Sequence, residues 1–300
     1  MASRHLMAAA VRLGASVDAL AALAAFVRLE TADLPADPVV RDLLSRIAAE
    51  LVGTETGSAV GAADPAAAAP VVGLARAFLR QAAELIENPG RSGGWEQVDV
   101  PLLQSIGRLS MAISGAILTA ERLLPDLGTQ LGRPDSTFLD IGTGTGWLAI
   151  AMAQTHPDLT VTGIDIFAPS LDLARTNVRE AGLDGRVELR QQNATELTAS
   201  QQFDAIWLPL PFLPGDIIEP VIAAAARALR PGGWLLPGTF IGPDDRLSQL
   251  LNDLRIVRSG GHPWRPDEVT GMLTAAGFAG TQEIPRSWAA PVQLWAGQLS

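Results

Sequence analysis

Along the first 131 residues apolar positions fall at helical spacing, as in Val11, Leu13, Val17, Leu20 and Leu23. No run there alternates apolar and polar residues as a half-buried strand does. The pattern predicts helices over Ala8–Leu29, Pro38–Val52, Val71–Ile86 and Pro101–Leu124. Proline marks three of the starts, at Pro38, at Pro70 ahead of Val71, and at Pro101, because its fixed φ suits a first turn that needs no N–H. Residues 53–70, rich in Gly, Ala, Thr and Ser, read as a flexible connector. Asn88-Pro89-Gly90 and Ser92-Gly93-Gly94 form a second break.

Past Pro134 the pattern changes. Short apolar runs at Thr137–Ile141, Thr160–Asp165, Val187–Arg190, Phe203–Leu208 and Trp234–Phe240 are separated by helical stretches at Gly146–Thr155, Pro169–Ala181 and Ile217–Leu229. A helix at Pro266–Ala276 and two shorter strands, Thr281–Arg286 and Val292–Ala296, follow. Strands alternating with helices require right-handed crossovers and a mostly parallel sheet covered on both faces. The expectation is an α/β fold with an all-α N-terminal region, divided into residues 1–131 and 132–300.

Composition removes several function classes. A chain of 300 residues suits one α/β domain with a smaller attachment. Its longest apolar runs are too short to cross a bilayer, so no membrane partner is expected. The helical spacing after Arg4 and Arg12 argues against a secretory leader. Cysteine is absent, which excludes a disulfide framework, a thiolate nucleophile and a cysteine metal site, and favours a cytoplasmic chain. Lysine and tyrosine are absent too, excluding Schiff-base and tyrosine-base chemistry; the all-arginine basic set with abundant alanine suggests a GC-rich bacterial genome. The net charge of −10 is evenly spread, with 11 Arg against 15 acids up to residue 136 and 11 against 17 beyond. Nucleic-acid binding needs a basic surface to neutralise phosphates, so none is expected as partner.

The chemistry concentrates in Phe138-Leu139-Asp140-Ile141-Gly142-Thr143-Gly144-Thr145-Gly146-Trp147, which joins a buried strand to a helix through three glycines. Positions without side chains let a ligand approach the backbone, and in an open α/β sheet such a loop lies where ligands bind. One strand later, Val161-Thr162-Gly163-Ile164-Asp165 ends in an acid suited to two hydrogen bonds from a ribose diol. Together these features describe an adenosine site. A dinucleotide fingerprint would need glycine where Trp147 stands.

Leu139-Asp140-Ile141-Gly142-Thr143-Gly144-Thr145-Gly146 resembles motif I of the class I S-adenosylmethionine-dependent methyltransferases. Gly163-Ile164-Asp165 resembles their ribose-binding motif, and Gln192-Asn193-Ala194 stands where the family has Gly-Asp-Ala. Phe203-Asp204-Ala205-Ile206-Trp207 is similar to the fourth strand, and Leu229-Arg230-Pro231-Gly232-Gly233 to the turn into the fifth. The resemblance covers about residues 136–297 and implies a Rossmann-like seven-stranded sheet, S-adenosylmethionine as cofactor, and no obligatory metal.

Carried over by position, Gly142, Thr143 and Gly144 line the methionine part, Gly146 completes the loop, and Asp140 organises it. Asp165 holds the ribose hydroxyls, Ile166 packs on adenine, and Asn193 offers its amide oxygen to the adenine amino group where the family carries Asp. Capping its own loop is the alternative role for Asn193. Ala194 and Leu208 complete the cofactor-binding set. Gln104 and Arg108, one helical turn apart, are placed to face the cofactor's carboxylate; for Arg108 the alternative is an ion pair with Glu121 or another surface acid.

The segment Pro209-Leu210-Pro211-Phe212 stands where methyltransferases of amide or adenine nitrogens carry Asn or Asp before Pro-Pro-Tyr. Without that polar side chain, an apolar acceptor pocket is expected, formed from Trp207, Leu208, Leu210, Phe212 and Leu213; Trp207 and Leu210 are equally suited to the core. A hydroxyl or acidic carbon acceptor needs a base, for which histidine is the residue type suited near neutral pH, and only His5, His156 and His262 are available. His156 reads as surface and His5 as terminal, leaving His262, in Ser259-Gly260-Gly261-His262-Pro263-Trp264, as the candidate catalytic base; solvation or helix capping is its bland alternative. The expected function is methyl transfer to a small-molecule acceptor, as an O-methyltransferase of specialised metabolism. The N-terminal helices would form a lid, an acceptor cap or a homodimer contact, with Trp95 closing over the acceptor or plugging a helix junction. Non-methylating chemistry on the same scaffold and a non-catalytic cofactor-binding subunit are the competing readings.

Overall fold

The computed structural model describes residues 2–32, 34–53, 65–94, 100–241, 244–288 and 291–300. It divides into two compact units, Met1–Pro89 and Gly90–Ser300. In the first, α1 (Ala2–Thr31) packs on α2 (Pro38–Val52) and α3 (Pro65–Glu87). Asp37 starts α2: its carboxylate accepts from the Val39 N–H at 2.8 Å, with Pro38 in the first turn. Glu30 and Arg41 form an ion pair that ties the end of α1 to the start of α2. The outer helices run further than the apolar spacing predicts, α1 back to Ala2 and α3 back to Pro65, because alanine runs lose least on becoming helical. Of the expected connector, residues 54–64 lie outside the described residues.

The second unit starts earlier than the boundary read at residue 131. Helices α4 (Val100–Leu123) and α5 (Pro125–Leu131) belong to it, with Ile113, Ala116, Ile117, Ala120, Leu127 and Leu131 in one buried cluster with Phe138. Then come β1 (Thr137–Ile141), α6 (Trp147–Thr155), β2 (Thr160–Asp165), α7 (Ala168–Glu180), β3 (Val187–Gln191), β4 (Phe203–Pro209) and α8 (Ile218–Ala228). They are followed by β5 (Leu229–Phe240), α9 (Arg246–Arg258), α10 (Pro266–Ala275), β6 (Phe278–Glu283) and β7 (Val292–Leu299).

The strands form one seven-stranded sheet in the order β3-β2-β1-β4-β5-β7-β6, parallel except that β7 runs antiparallel to both neighbours. Alternation divides the apolar residues between two faces. Phe138, Val161, Trp207 and Leu236 join the cluster covered by α4, α5 and α6, whereas Leu139, Ile164, Leu208 and Leu235 join the one covered by α8 and α10. Strand order reverses between β1 and β4, the switch point of an open α/β sheet, and both the glycine loop and the end of β4 open there.

Candidate functional site

The loop after β1 turns because three of its residues take left-handed backbone angles, Gly142 at φ +66, Gly144 at +56 and Gly146 at +79. Hydrogen bonds inside the protein hold it in this shape. The Thr143 N–H donates to the Ile164 carbonyl at 3.0 Å, the Gly146 N–H to the Thr143 carbonyl at 2.9 Å, and the Gly144 N–H to the Asp165 carboxylate at 2.8 Å. The Thr143 hydroxyl donates to buried Asp140 at 2.7 Å. Thr143 therefore faces inward, its N–H and hydroxyl both engaged within the protein, and the open surface of the loop is that of Gly142 and Gly144. A Cβ on Gly144 would meet only the Gly142 carbonyl, at 4.0 Å, so the space beside it is open.

Two carboxyls underlie the loop. Burial pushes the Asp140 pKa up to about 7; the Thr143 hydroxyl counters this, the Asp165 charge adds to it, and the Ala149 N–H in the first turn of α6 opposes it. Asp165 is also raised by burial, against N–H donation from Phe167 and Gly144. Each Asp165 oxygen accepts one of those bonds, at 2.8 Å, and keeps lone-pair capacity for a sugar hydroxyl.

Beyond Asp165 an open cleft of about 340 Å³ is lined by Ile166, Gln191, Gln192, Asn193 and Glu196. Ile166 is 70% exposed there. Asn193 caps the short 3-10 turn Ala194–Glu196: its amide oxygen accepts from the Thr195 N–H and hydroxyl, both at 3.0 Å. This is the loop-capping role that the sequence offers as the alternative to contact with adenine. Ala194 is buried.

Residues 138–233 match the family model described as a methyltransferase domain. The release factor glutamine methyltransferase of Rhodopirellula baltica is 37% identical over 138 residues, 45% of this chain and 45% of that protein. The demethylspheroidene O-methyltransferase of Rhodobacter capsulatus is 27% identical over 206 residues, 63% of this chain and 49% of the other. The chain thus spans about half the length of the curated relatives it matches. Among solved structures, mitomycin 7-O-methyltransferase shares the fold with a TM-score of 0.60 at 19% identity, covering 100% of this chain and 98% of that one. Over this domain the chain is similar to the class I S-adenosylmethionine-dependent methyltransferases. Its glycine loop, two supporting carboxyls and adjoining cleft fit the cofactor of that family in shape and in donor chemistry.

The back of the loop is fastened to α4. Gln104 pairs amide to amide with Asn177 of α7 (3.0 and 3.1 Å) and accepts from the Trp147 indole at 2.8 Å, while Asn177 donates to the Thr145 carbonyl at 2.8 Å. Gln104 therefore bridges α4 to α7 and to the Trp147 indole. Asn177 was not foreseen; an asparagine on an amphipathic helix carries no signal of such a role. Arg108 is exposed, its guanidinium 5.0 Å from the centre of the Trp147 ring. The alternative pairing with Glu121 does not form, because Glu121 meets His156 at 3.1 Å. Both of those side chains are only 11% exposed, so His156 is not a surface residue.

The β4 exit is more tightly packed than expected. Trp207, Leu208 and Leu210 are core residues at 4%, 0% and 1% exposure, the packing role that the sequence left open for Trp207 and Leu210. Pro209 reaches the loop instead: its Cγ would lie 3.1 Å from a Cβ on Gly142. Half-buried Phe212 meets Phe240 edge to face, 5.4 Å between ring centres. His262 is exposed, tilted against Trp264 at 4.4 Å, and lies 3.3 Å from where a Cβ on Gly215 would be. It thus sits beside the segment that leaves β4. Gly261 allows this approach, since a Cβ there would be 2.1 Å from the Pro211 carbonyl oxygen. A second glycine pair backs the same seam: the Gly94 N–H donates to the Arg258 carbonyl at 3.2 Å, and Gly93 lies against Val257. Trp95 lies outside the described residues, and so does the side chain of His5.

Proposed function

We propose that this methyltransferase carries the methyl group of S-adenosylmethionine to a hydroxyl of a small molecule of specialised metabolism. The observation that carries the reading is the glycine loop braced by Asp140 and Asp165 at the switch point, beside an apolar β4 exit that His262 adjoins. The bound cofactor supplies an electrophilic methyl on a sulfonium whose leaving group is a neutral thioether. Much of the catalysis is then positioning of the acceptor. Gly142 and Gly144 give close backbone approach, Asp165 accepts from the ribose hydroxyls, and Ile166 covers the base. Arg108, braced on Trp147, reaches the cofactor's carboxylate. Pro209, Phe212 and Leu213 border the acceptor, and His262 takes the hydroxyl proton on an imidazole nitrogen.

The names of the relatives support an oxygen acceptor: demethylspheroidene and mitomycin are small molecules, and the likeness to the mitomycin enzyme runs through the N-terminal helices as well. The relatives that methylate glutamine of release factors favour a second reading, a protein amide. Pro209-Leu210-Pro211-Phe212 offers no side-chain acceptor to orient an amide nitrogen, so that reading ranks second. The test is methyl transfer from labelled S-adenosylmethionine into phenolic and alcoholic acceptors, followed by product mass. His262→Ala is expected to lower turnover by roughly 100-fold or more while S-adenosylhomocysteine binding stays within twofold of wild type, about the reproducibility of such titrations. Unchanged turnover would remove His262 from the mechanism.

A further inference from the structure

The cleft that takes the base lacks an acid at the position where the family resemblance calls for one, and Asn193 does not replace it. Both bonds to the Asn193 oxygen come from Thr195 inside the turn, so the amide presents only its NH2 group to a ligand. That group is a donor, whereas the exocyclic amine of adenine is itself a donor and requires an acceptor. The side-chain amides of Gln191 and Gln192 donate to the Ile166 and Glu196 carbonyls, each at 3.3 Å, which leaves their oxygens as neutral acceptors, weaker than a carboxylate for an amine. Among the residues lining the cleft one anion remains, Glu196, at the end of the turn that Asn193 caps. Its side chain is exposed, and among the described residues its carboxylate receives no hydrogen bond and forms no ion pair.

We propose that Glu196, and not Asn193, is the specificity residue that accepts the adenine amine, and that Asn193 positions it by capping the turn. The inference rests on the adenosine reading of the site. It predicts that the protein separates adenine from hypoxanthine, in which the amine is replaced by a carbonyl that a carboxylate would repel.

Calorimetry on the full chain with S-adenosylhomocysteine and with S-inosylhomocysteine tests it. Wild type is expected to prefer the adenosyl ligand by about tenfold or more, the effect of one charge-assisted hydrogen bond at an open site. Glu196→Gln should weaken adenosyl binding by about tenfold and bring the two ligands close to parity. Asn193→Ser, which keeps a capping oxygen, should retain the wild-type preference. A preference that survives Glu196→Gln, or a wild type that binds both nucleosides equally, would overturn the assignment. A preference lost in Asn193→Ser and kept in Glu196→Gln would overturn it in favour of Asn193. Failure of wild type to bind S-adenosylhomocysteine at all would instead strike the cofactor reading.

Discussion

Asp140 shows how one buried residue serves the loop at a cost to the fold. Its carboxyl anchors Thr143, yet burial raises its pKa from 3.8 to about 7. The folded chain then holds a proton that the unfolded chain releases above pH 3.8. Stability from this group is full below that pH and is lost as pH rises towards 7. Asp165, also raised by burial, contributes with the same sign. Asp140→Asn keeps an oxygen acceptor for Thr143 and removes the titration. The variant's melting temperature should therefore fall less than that of wild type between pH 4.5 and 7.5, a range of about three units that spans the raised pKa. Parallel melting curves for the two proteins across that range would contradict this account. The sequence identified Asp140 and Asp165 because each ends a strand beside a glycine loop. It could not reveal that the Thr143 hydroxyl and N–H both turn inward, since that depends on which carbonyl of β2 lies opposite.

Among elements, β1 and β2 follow the predicted limits because both are buried strands closed by turn residues, and α2 follows them because Asp37 and Pro38 mark its start. The misses have physical reasons. Strand β5 begins at Leu229, inside the expected turn, as Gly232 at φ +77 lets the chain pass through Pro231-Gly232-Gly233 while still pairing with β4. Helix α9 was not expected, although Leu247, Leu250, Leu254 and Val257 fall at helical spacing behind the capping carboxylate of Asp245. Its end delivers Gly260, Gly261 and His262 to the β4 exit. Two glycine pairs that read in the sequence as separate loops, Gly93-Gly94 and Gly260-Gly261, form one seam, and only tertiary contact shows it. Gly261→Ala would put a methyl 2.1 Å from the Pro211 carbonyl oxygen, so the loop bearing His262 must shift. Turnover should fall by on the order of 100-fold, the effect of about 1 Å of misplacement, with the affinity for S-adenosylhomocysteine retained. Wild-type turnover in this variant would show that the seam does not position the histidine.

For the whole molecule, the division into Met1–Pro89 and Gly90–Ser300 puts every residue assigned to cofactor and base in the second unit. The first unit must then contribute something other than that chemistry. Its own core is small, with Phe26, Val27, Ala48, Ala75 and Ala77 buried, while α2 leaves Val40, Leu43, Ile47 and Leu51 exposed at 49%, 49%, 38% and 47%. Four apolar side chains spaced three and four residues apart make one continuous stripe on a helix. We propose that a second copy meets this stripe through a twofold interface of like with like. We therefore expect a dimer formed through α2. Light scattering should give twice the chain mass of 31.5 kDa for wild type and the single mass for the double variant Leu43→Glu, Ile47→Glu. Cofactor affinity should survive in the variant, because no ligand to the cofactor lies in that helix. A wild type that runs as a monomer, with the double variant equally soluble and equally active, would remove both the dimer contact and the acceptor cap as roles for this face.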